Sequence, residues 1–269
     1  MIRVLPTAEF ASLVHGPEGG DLDDAAEAFH EASRLYPNVA PERLATLLAL
    51  GGAGELQETV RRAGRLRPGG ARVELPRGEL PATRLGDAIA QRESGLGPRR
   101  TLSLDDVGTV LAAVYAATER RPGELRRPVP SGGALYPLEL YLVPLAVAGL
   151  EPCAYHYDPF NHRLEQLGTV APADVEAALV DPSLVAKASA LLVVAAMFWR
   201  TRFKYGLRGY RFALLEAGHA MQNAVLSAAA RRLPALPLGG FYDRRLDALV
   251  GADGLEEAAV YALLLGGAG

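Results

Sequence analysis

The sequence predicts a mixed α+β domain in which long helices pack on a few buried strands. Three observations lead there. Residues 191–197 (LLVVAAM) are apolar on both faces, as a strand covered from two sides must be. Residues 153–157 and 163–167 flank the turn Asp158-Pro159-Phe160-Asn161-His162 and read as a hairpin. Residues 210–232 form one long helical stretch, interrupted only by Gly218.

The elements follow in chain order. Residues 22–35 place Ala26, Phe29 and Ala32 at helical spacing. Pro37 and Pro41 interrupt this helix, and Pro41-Glu42 opens a second one that runs through Ala49. Residues 51–54 are a break, and residues 57–66 a third, basic helix. The stretch RPGGARVELPRGELPATR is rich in Pro and Gly and reads as a linker. A boundary near residue 80 therefore separates a small helical N-terminal region, 1–80, from the main domain, 81–269. The first is expected to pack on the second or to bind substrate or a partner.

In the main domain, residues 85–91 read as a helix. Ser103 is a good N-cap, with Asp105 and Asp106 in the first turn, where they complement the helix dipole. Leu104, Val107, Val110, Leu111, Val114 and Tyr115 form that helix's apolar face. Residues 119–136 read as a loop, and 138–143 (LELYLV) as a strand. Residues 174–179 are a helix, 238–241 a tight loop, 246–249 a short helix and 257–265 a last buried strand.

Composition excludes several functions. The chain has 269 residues, 49% of them hydrophobic and 22% charged, with 28 Lys+Arg against 31 Asp+Glu. A net charge of −3 argues against sequence-blind nucleic-acid binding. The single cysteine, Cys153, allows no internal disulfide or Cys-rich zinc site and reads as a small strand residue. No His pair has a carboxylate or thiol at metal-ligand spacing, so no metal is expected. The opening MIRVLPTAEF carries no signal-peptide core, and the longest apolar run, 188–199, is too short to span a bilayer. A cytoplasmic protein without membrane contact is expected.

Chemistry concentrates in the loop Arg126-Arg127-Pro128-Val129-Pro130-Ser131-Gly132-Gly133-Ala134-Leu135-Tyr136-Pro137. The arginines supply charge and Ser131 a hydroxyl. Gly132 and Gly133 let the backbone approach a flat or anionic ligand. The spacing matches neither a Walker A loop nor a dinucleotide fingerprint.

Four ordered stretches carry a family resemblance: PSGGALYPLELYLV (130–143), AYHYDPFNHRLEQL (154–167), FKYGLRGYRFALLEAGHAMQN (203–223) and LGGFYDRRLDALVG (238–251). Together they resemble the SagB-type dehydrogenases, a branch of the flavin-dependent nitroreductase superfamily. FHEASRLYP (29–37) is also similar to that branch. The resemblance covers about residues 85–267. It implies a nitroreductase-like fold with a central, mostly antiparallel sheet flanked by long helices. It also implies FMN as cofactor and a homodimer with both flavins at the subunit interface. The activity implied is oxidation of thiazolines or oxazolines to thiazoles or oxazoles in a peptide or carrier-bound peptide. A cyclodehydratase or a peptide synthetase would then be the partner complex.

Residue roles follow from the resemblance. Arg92 and Ser94 match the pair that grips the FMN phosphate, where an Arg fork and a hydroxyl suit a dianion. Arg127, Ser131, Gly132, Gly133 and Ala134 match a flavin-contacting segment. Gln222 and Asn223 would address polar flavin edges, and Gly239 and Gly240 the backbone facing flavin N5. Lys204 and Tyr205 match the Lys-Tyr pair of azoline oxidation. Aromatising the ring removes a hydride and a proton, and the proton needs a base.

Lysine can serve as that base, whereas arginine stays protonated. The chain has only two lysines, Lys187 and Lys204, against 26 arginines. A lysine at the motif position therefore suggests a need for a deprotonatable amine, although Lys187 lies in no motif. Arg202 and Arg208 flank Lys204, and neighbouring cations favour an uncharged amine.

Two departures stand out. Leu96 replaces the last Arg of an Arg-x-Ser-x-Arg pattern, so Arg99 or Arg100 would compensate. No basic residue follows the last strand, a gap that Arg126 and Arg127 would fill. Other polar residues read as structural. His219 reads as a hydrogen-bonded packing residue, Glu216 and Arg211 as a pair, and His156 and His162 as exposed or turn-stabilising. Phe198 and Trp199 read as core or pocket wall. Two rival functions remain: an NAD(P)H-dependent nitro or quinone reductase, and an inactive scaffold in a peptide-modifying complex.

Overall fold

The structure, a computed structural model, describes residues 25–35, 59, 70–121 and 124–267. The chain divides into two units, Met1–Leu44 and Ala45–Gly269. Helix α1, Ala25–Ala32, is the described element of the first unit and lies inside the stretch expected to be helical. The helices expected over 41–49 and, Thr59 apart, 57–66 lie outside the described residues.

The second unit is built on a seven-stranded sheet. Its strands are β1 (Arg72–Glu74), β4 (Leu138–Pro144), β5 (Cys153–Asp158), β6 (Arg163–Thr169), β7 (Ala190–Met197), β8 (Ala235–Leu238) and β9 (Glu257–Leu265). They lie in the order β1-β6-β5-β4-β7-β9-β8. Every neighbouring pair is antiparallel. The period of two sorts side chains between two cores. Leu138, Leu140 and Leu142 of β4, with Leu192 and Val194 of β7, face one core. Tyr141 and Val143, with Leu191 and Val193, face the other. This is why both strands read as continuous apolar runs.

Helices α3 (Leu104–Tyr115) and α6 (Leu207–Ala230) cover the first face. The inner stripe of α6 is Ala213, Ala217, Ala220, Ala224 and Ala228, small enough for close approach to the sheet. Helices α4 (Pro172–Ala178) and α7 (Asp243–Val250) cover the second face. Helix α2, Leu85–Gln91, falls on its expected residues.

Ser103 caps α3 as expected. Its hydroxyl accepts from Asp106 N at 3.1 Å, and Asp106 accepts from Ser103 N at 3.2 Å. Arg231, at the far end of α6, binds Asp105 and Asp106 at 2.6 and 2.7 Å and ties the two helices together.

Two local expectations are corrected, and one helix appears where none was expected. The stretch read as a linker contains β1, whose Arg72, Val73 and Glu74 pair with Glu165, Leu164 and Arg163. Its proline and glycine content hid a strand that only pairing creates. The loop expected over 119–136 contains a separate hairpin, β2 (Thr118–Arg121) with β3 (Glu124–Arg126). An unmarked helix, α5, spans Trp199–Tyr205 and is broken from α6 by Gly206, whose φ of 54° ends the turn. Among the described residues no helix is long and apolar enough to cross a membrane.

Ser103→Ala removes the cap acceptor and should cost about 1 kcal/mol. A urea midpoint shifted by that amount would agree with this account, and an unchanged midpoint would show the cap to be idle.

Candidate active site

The loop before β4 is held in an unusual backbone shape. It contains a 3-10 turn, Gly132–Ala134, in which Gly133 has φ 66°. Ala134 and Tyr136 also have positive φ, at 53° and 47°. Each non-glycine residue in that region costs about 1–2 kcal/mol. Neighbouring contacts hold the shape. Ser131 Oγ accepts from Tyr136 N at 2.9 Å. Arg127 lies only 9% exposed, its guanidinium 4.1 Å from the Tyr115 ring centre, 5.1 Å from Tyr136 and 5.3 Å from Phe160. A cleft of about 370 Å³ runs along Arg127, Ser131, Ala134 and Tyr136.

Helix α5 closes over this turn. A Cβ on Gly133 would lie 2.6 Å from Tyr205 Oη and 3.2 Å from Lys204 Nζ. A Cβ on Gly132 would lie 3.0 Å from the Phe212 ring. Tyr205 meets Phe212 edge to face, with ring centres 4.9 Å apart, and Lys204 Nζ stands 5.3 Å from the Tyr205 ring centre. The sequence-predicted residues Ser131, Gly132, Gly133, Ala134, Lys204 and Tyr205 therefore form one cluster. Gly133 suits its left-handed φ, and a side chain at either glycine would crowd Phe212, Tyr205 or Lys204.

The helix carrying Lys204 is pinned from below. Arg200, one turn earlier, is buried and pairs with Glu139 of β4 at 2.5 Å. It also donates to the Tyr136 carbonyl at 3.4 Å. The other oxygen of Glu139 meets His156 Nε2 at 2.6 Å. Burial pushes the Glu139 carboxyl up, but Arg200 and His156 overrule it and hold the group down at about 2. Thr201 Oγ1 donates to Gly209 O at 2.8 Å and fixes α5 to α6.

A second acid, Glu216 on α6, lies under the same loop. It accepts from the Tyr115 hydroxyl at 2.6 Å, and Tyr115 in turn accepts from Leu138 N at 3.0 Å. Burial drives the Glu216 carboxyl up to about 7, only partly offset by Ser131, Tyr115, Arg127 and Arg200. The same burial pushes the Tyr115 hydroxyl well above its ordinary range.

The other candidates sit elsewhere. Arg92 Nη1 donates to Ser94 Oγ at 3.0 Å just after α2, and neither side chain is buried. Arg99 donates to the Val185 carbonyl. Gln222 is exposed on α6. The Asn223 amide donates to Ala113 O at 3.2 Å and Pro128 O at 3.4 Å, bracing the loop against α3. Gly239 and Gly240 are exposed after β8, and no atom lies within 4 Å of a Cβ placed on Gly239.

Several histidine and carboxylate readings are corrected. His156 and His162 are buried, not exposed, because a sheet residue and a loop carbonyl reach them. His162 bonds Tyr157 at 2.8 Å and faces the Pro76 carbonyl at 3.0 Å. His219 is exposed rather than packed, since its side of α6 faces away from the sheet. The hydrogen-bond partner of Glu216 is Tyr115 rather than Arg211. Trp199 is 44% exposed, whereas Phe198 is core.

Arg200, Glu139, Glu216 and Tyr115 were missed as site residues. The available signal was a lone acid inside an apolar strand and another on the apolar face of a helix. Such acids seldom lie buried without a task.

Gly133→Ala should cost about 1–2 kcal/mol through its left-handed backbone alone and displace the Tyr205 hydroxyl. A denaturation midpoint equal to the parent's would mean that the turn opens freely and that α5 is not seated on it.

Known proteins share this fold and parts of this sequence. The nitroreductase family model matches residues 96–267, which leaves Arg92 and Ser94 just outside the matched span. A Methanocaldococcus jannaschii protein named for the nitroreductases, MJ1384, is 32% identical over 176 residues, 65% of this chain and 86% of that protein. The microcin B17-processing protein McbC of Escherichia coli is 37% identical over 138 residues. That alignment spans about half of each protein, 48% of this chain and 49% of McbC. One chain of the E. coli microcin synthetase McbBCD complex, with truncated pro-MccB17 bound, superposes with a TM-score of 0.60 at 27% identity. The superposition covers 89% of this chain and 86% of that one. With its antiparallel sheet, flanking helices and four ordered motifs, this chain belongs to the nitroreductase family.

Proposed function

We propose that the chain is an FMN-dependent dehydrogenase that oxidises thiazoline or oxazoline rings in a peptide to thiazoles or oxazoles. The observation that carries this reading is the seating of Lys204 and Tyr205 on the Gly132–Gly133 turn. The names of two similar proteins, one that processes microcin B17 and one bound to its precursor, support a peptide substrate. The second belongs to a multi-protein synthetase, which supports a partner complex such as a cyclodehydratase or a peptide synthetase.

The residues present fit the cofactor. Arg92 and Ser94 offer an accessible donor pair suited to a phosphate. Gly239 and Gly240 expose bare backbone suited to a flat ring. The chemistry supplied by bound FMN is acceptance of a hydride from the ring's Cβ, with both electrons passed on to an external oxidant such as dioxygen.

The chain's own part is the proton. Lys204 Nζ takes the Cα proton, so one proton and one hydride leave the ring together. Tyr205 orients the ring or relays that proton. The buried Arg200–Glu139 pair holds α5 so that the amine stays in place. General-base catalysis of this kind is worth about 10²–10⁴-fold in rate.

The purified protein should be yellow, release FMN on denaturation, and remove two hydrogens from a thiazoline peptide. Lys204→Ala should stay yellow and lose turnover by about 10²–10⁴-fold. A Lys204→Ala variant as fast as the parent would remove the amine from the mechanism. The similarity to MJ1384 favours a second reading, an NAD(P)H-dependent nitro or quinone reductase. In that case NADPH bleaches the flavin quickly and Lys204→Ala has no effect.

The proposed enzyme is a homodimer. Leu207, Leu214 and Leu215 are exposed along one stripe of α6, and covering them would remove apolar surface from water. Changing Leu214 and Leu215 together to Arg should give a monomer by light scattering. A variant that remains dimeric would move the interface elsewhere.

A further inference from the structure

One buried cation has no task in the mechanism above. Arg127 is 9% exposed, and the rings of Tyr115 from α3, Tyr136 from the loop and Phe160 from the β5–β6 turn surround its guanidinium. Ring faces attract the charge but offer no acceptor to the in-plane N–H groups. Among the described residues Arg127 forms no ion pair, and no acceptor meets its side chain. Glu216, the buried acid that shares Tyr115 with it, bonds the Tyr115 hydroxyl instead. The sealed, partnerless arginine nitrogens among the described residues belong to Arg163 and Arg200, not to Arg127. The Arg127 fork therefore opens on the cleft of about 370 Å³ that it lines with Arg126, Ser131, Ala134 and Tyr136.

A cation this deeply buried ordinarily sits beside an acid, because taking it out of water is costly. The fork is also held in place. Arg127 N donates to Tyr136 Oη at 3.4 Å, and the carbonyl of Pro128, the next residue, accepts from Asn223 at 3.4 Å. A fixed pair of parallel N–H groups suits the two oxygens of a carboxylate.

The surroundings are basic. Residues 125–137 (LRRPVPSGGALYP) contain Arg126 and Arg127 and no acid. Residues 199–211 (WRTRFKYGLRGYR) contain five basic side chains and no acid, in a chain of net charge −3. Both segments meet at one end of the sheet, since the loop enters β4 at Leu138, whose partner Ala196 lies just before α5. Arg92 and Ser94 lie at the other end. Gly95 N donates to Ala235 O at 3.0 Å, Ala235 pairs with Leu265, Leu265 with Ala190 and Ala190 with Pro144. The seven residues of β4 separate the two ends by about 20 Å. Within one chain, a phosphate held by Arg92 and Ser94 is thus far from Arg127, whereas Lys204 is at the same end.

We propose that Arg127 anchors an anion subsite for the peptide: its fork takes the carboxylate of an acidic residue beside the ring being oxidised, and the basic end of the sheet attracts that segment. The substrate class is then an acidic azoline peptide. The inference rests on the dehydrogenase reading for the reaction, but not for the binding. Ser131 and Ala134 line the cleft and flank Gly132–Gly133, so the anchor and the seat of Lys204 share one loop.

Two thiazoline peptides that differ only in Glu or Gln next to the ring test this in the FMN-loaded protein. The parent should take the Glu peptide with a KM about tenfold or more below that of the Gln peptide, at similar kcat. The preference should shrink at about 0.5 M salt. Arg127→Gln should take the two peptides alike. Arg127→Lys keeps the charge without the fork and should restore only part of the preference. Calorimetry with the corresponding thiazole peptides, which are already oxidised, should show the same ratio in Kd.

Equal KM and Kd for the two peptides in the parent overturn the proposal, as does a preference that survives Arg127→Gln. If the parent shows no preference and Arg127→Gln loses its FMN, the anion is the cofactor's phosphate and the peptide assignment falls. A Glu preference in calorimetry, with neither thiazoline peptide oxidised, supports the subsite and overturns the dehydrogenase reading.

Discussion

At Gly133 the backbone turns left-handed and has no side chain, and the Tyr205 hydroxyl and Lys204 amine approach the space a Cβ would take. The rest of the candidate site depends on that close approach. A β-carbon there would displace the Tyr205 hydroxyl and crowd the Lys204 amine. The chain accepts positive φ at Ala134 and Tyr136 on the same loop, a cost that the surrounding packing must cover. Strain of this kind persists only where neighbours on several sides over-determine the conformation. Here they do: Arg127 and its aromatic rings on one side, Ser131 within the loop, and α5 and α6 above and below.

Charge placement follows the same logic. Arg200 and Glu139 are buried together, so each has a partner and neither must be neutral. The pair joins the first turn of α5 to the middle of the sheet through β4. It makes the position of Lys204 a consequence of the sheet rather than of a surface loop. Glu216 is held instead by the Tyr115 hydroxyl.

What could be read from sequence depended on how local each signal was. Periodicity placed β7 and β9, and the Ser103 cap placed α3, because each signal lies within one segment. The seven residues WRTRFKY of α5 carry four polar side chains and no apolar stripe. Their helix exists because Thr201 reaches Gly209 and Arg200 reaches Glu139, and neither contact is local. The exposed alternative for His156 and His162 failed for the same reason. A hairpin turn looks exposed until Glu139 and Pro76 arrive from elsewhere in the chain. The Lys-Tyr pair and the Ser-Gly-Gly loop were legible as motifs. That the two touch, and that the buried Arg200–Glu139 pair supports them, was visible only in three dimensions.

The account stands on the amine being where the ring loses its proton. The most direct measurement is a crystal structure of the FMN-loaded protein with a thiazoline peptide bound. The account predicts Lys204 Nζ roughly 3 Å from the ring Cα, on the side opposite to the cofactor or at its edge. It also predicts a Gly132–Gly133 turn unmoved beneath Tyr205. A ring bound with Lys204 directed into solvent, and no other chain atom able to take the proton, would contradict it.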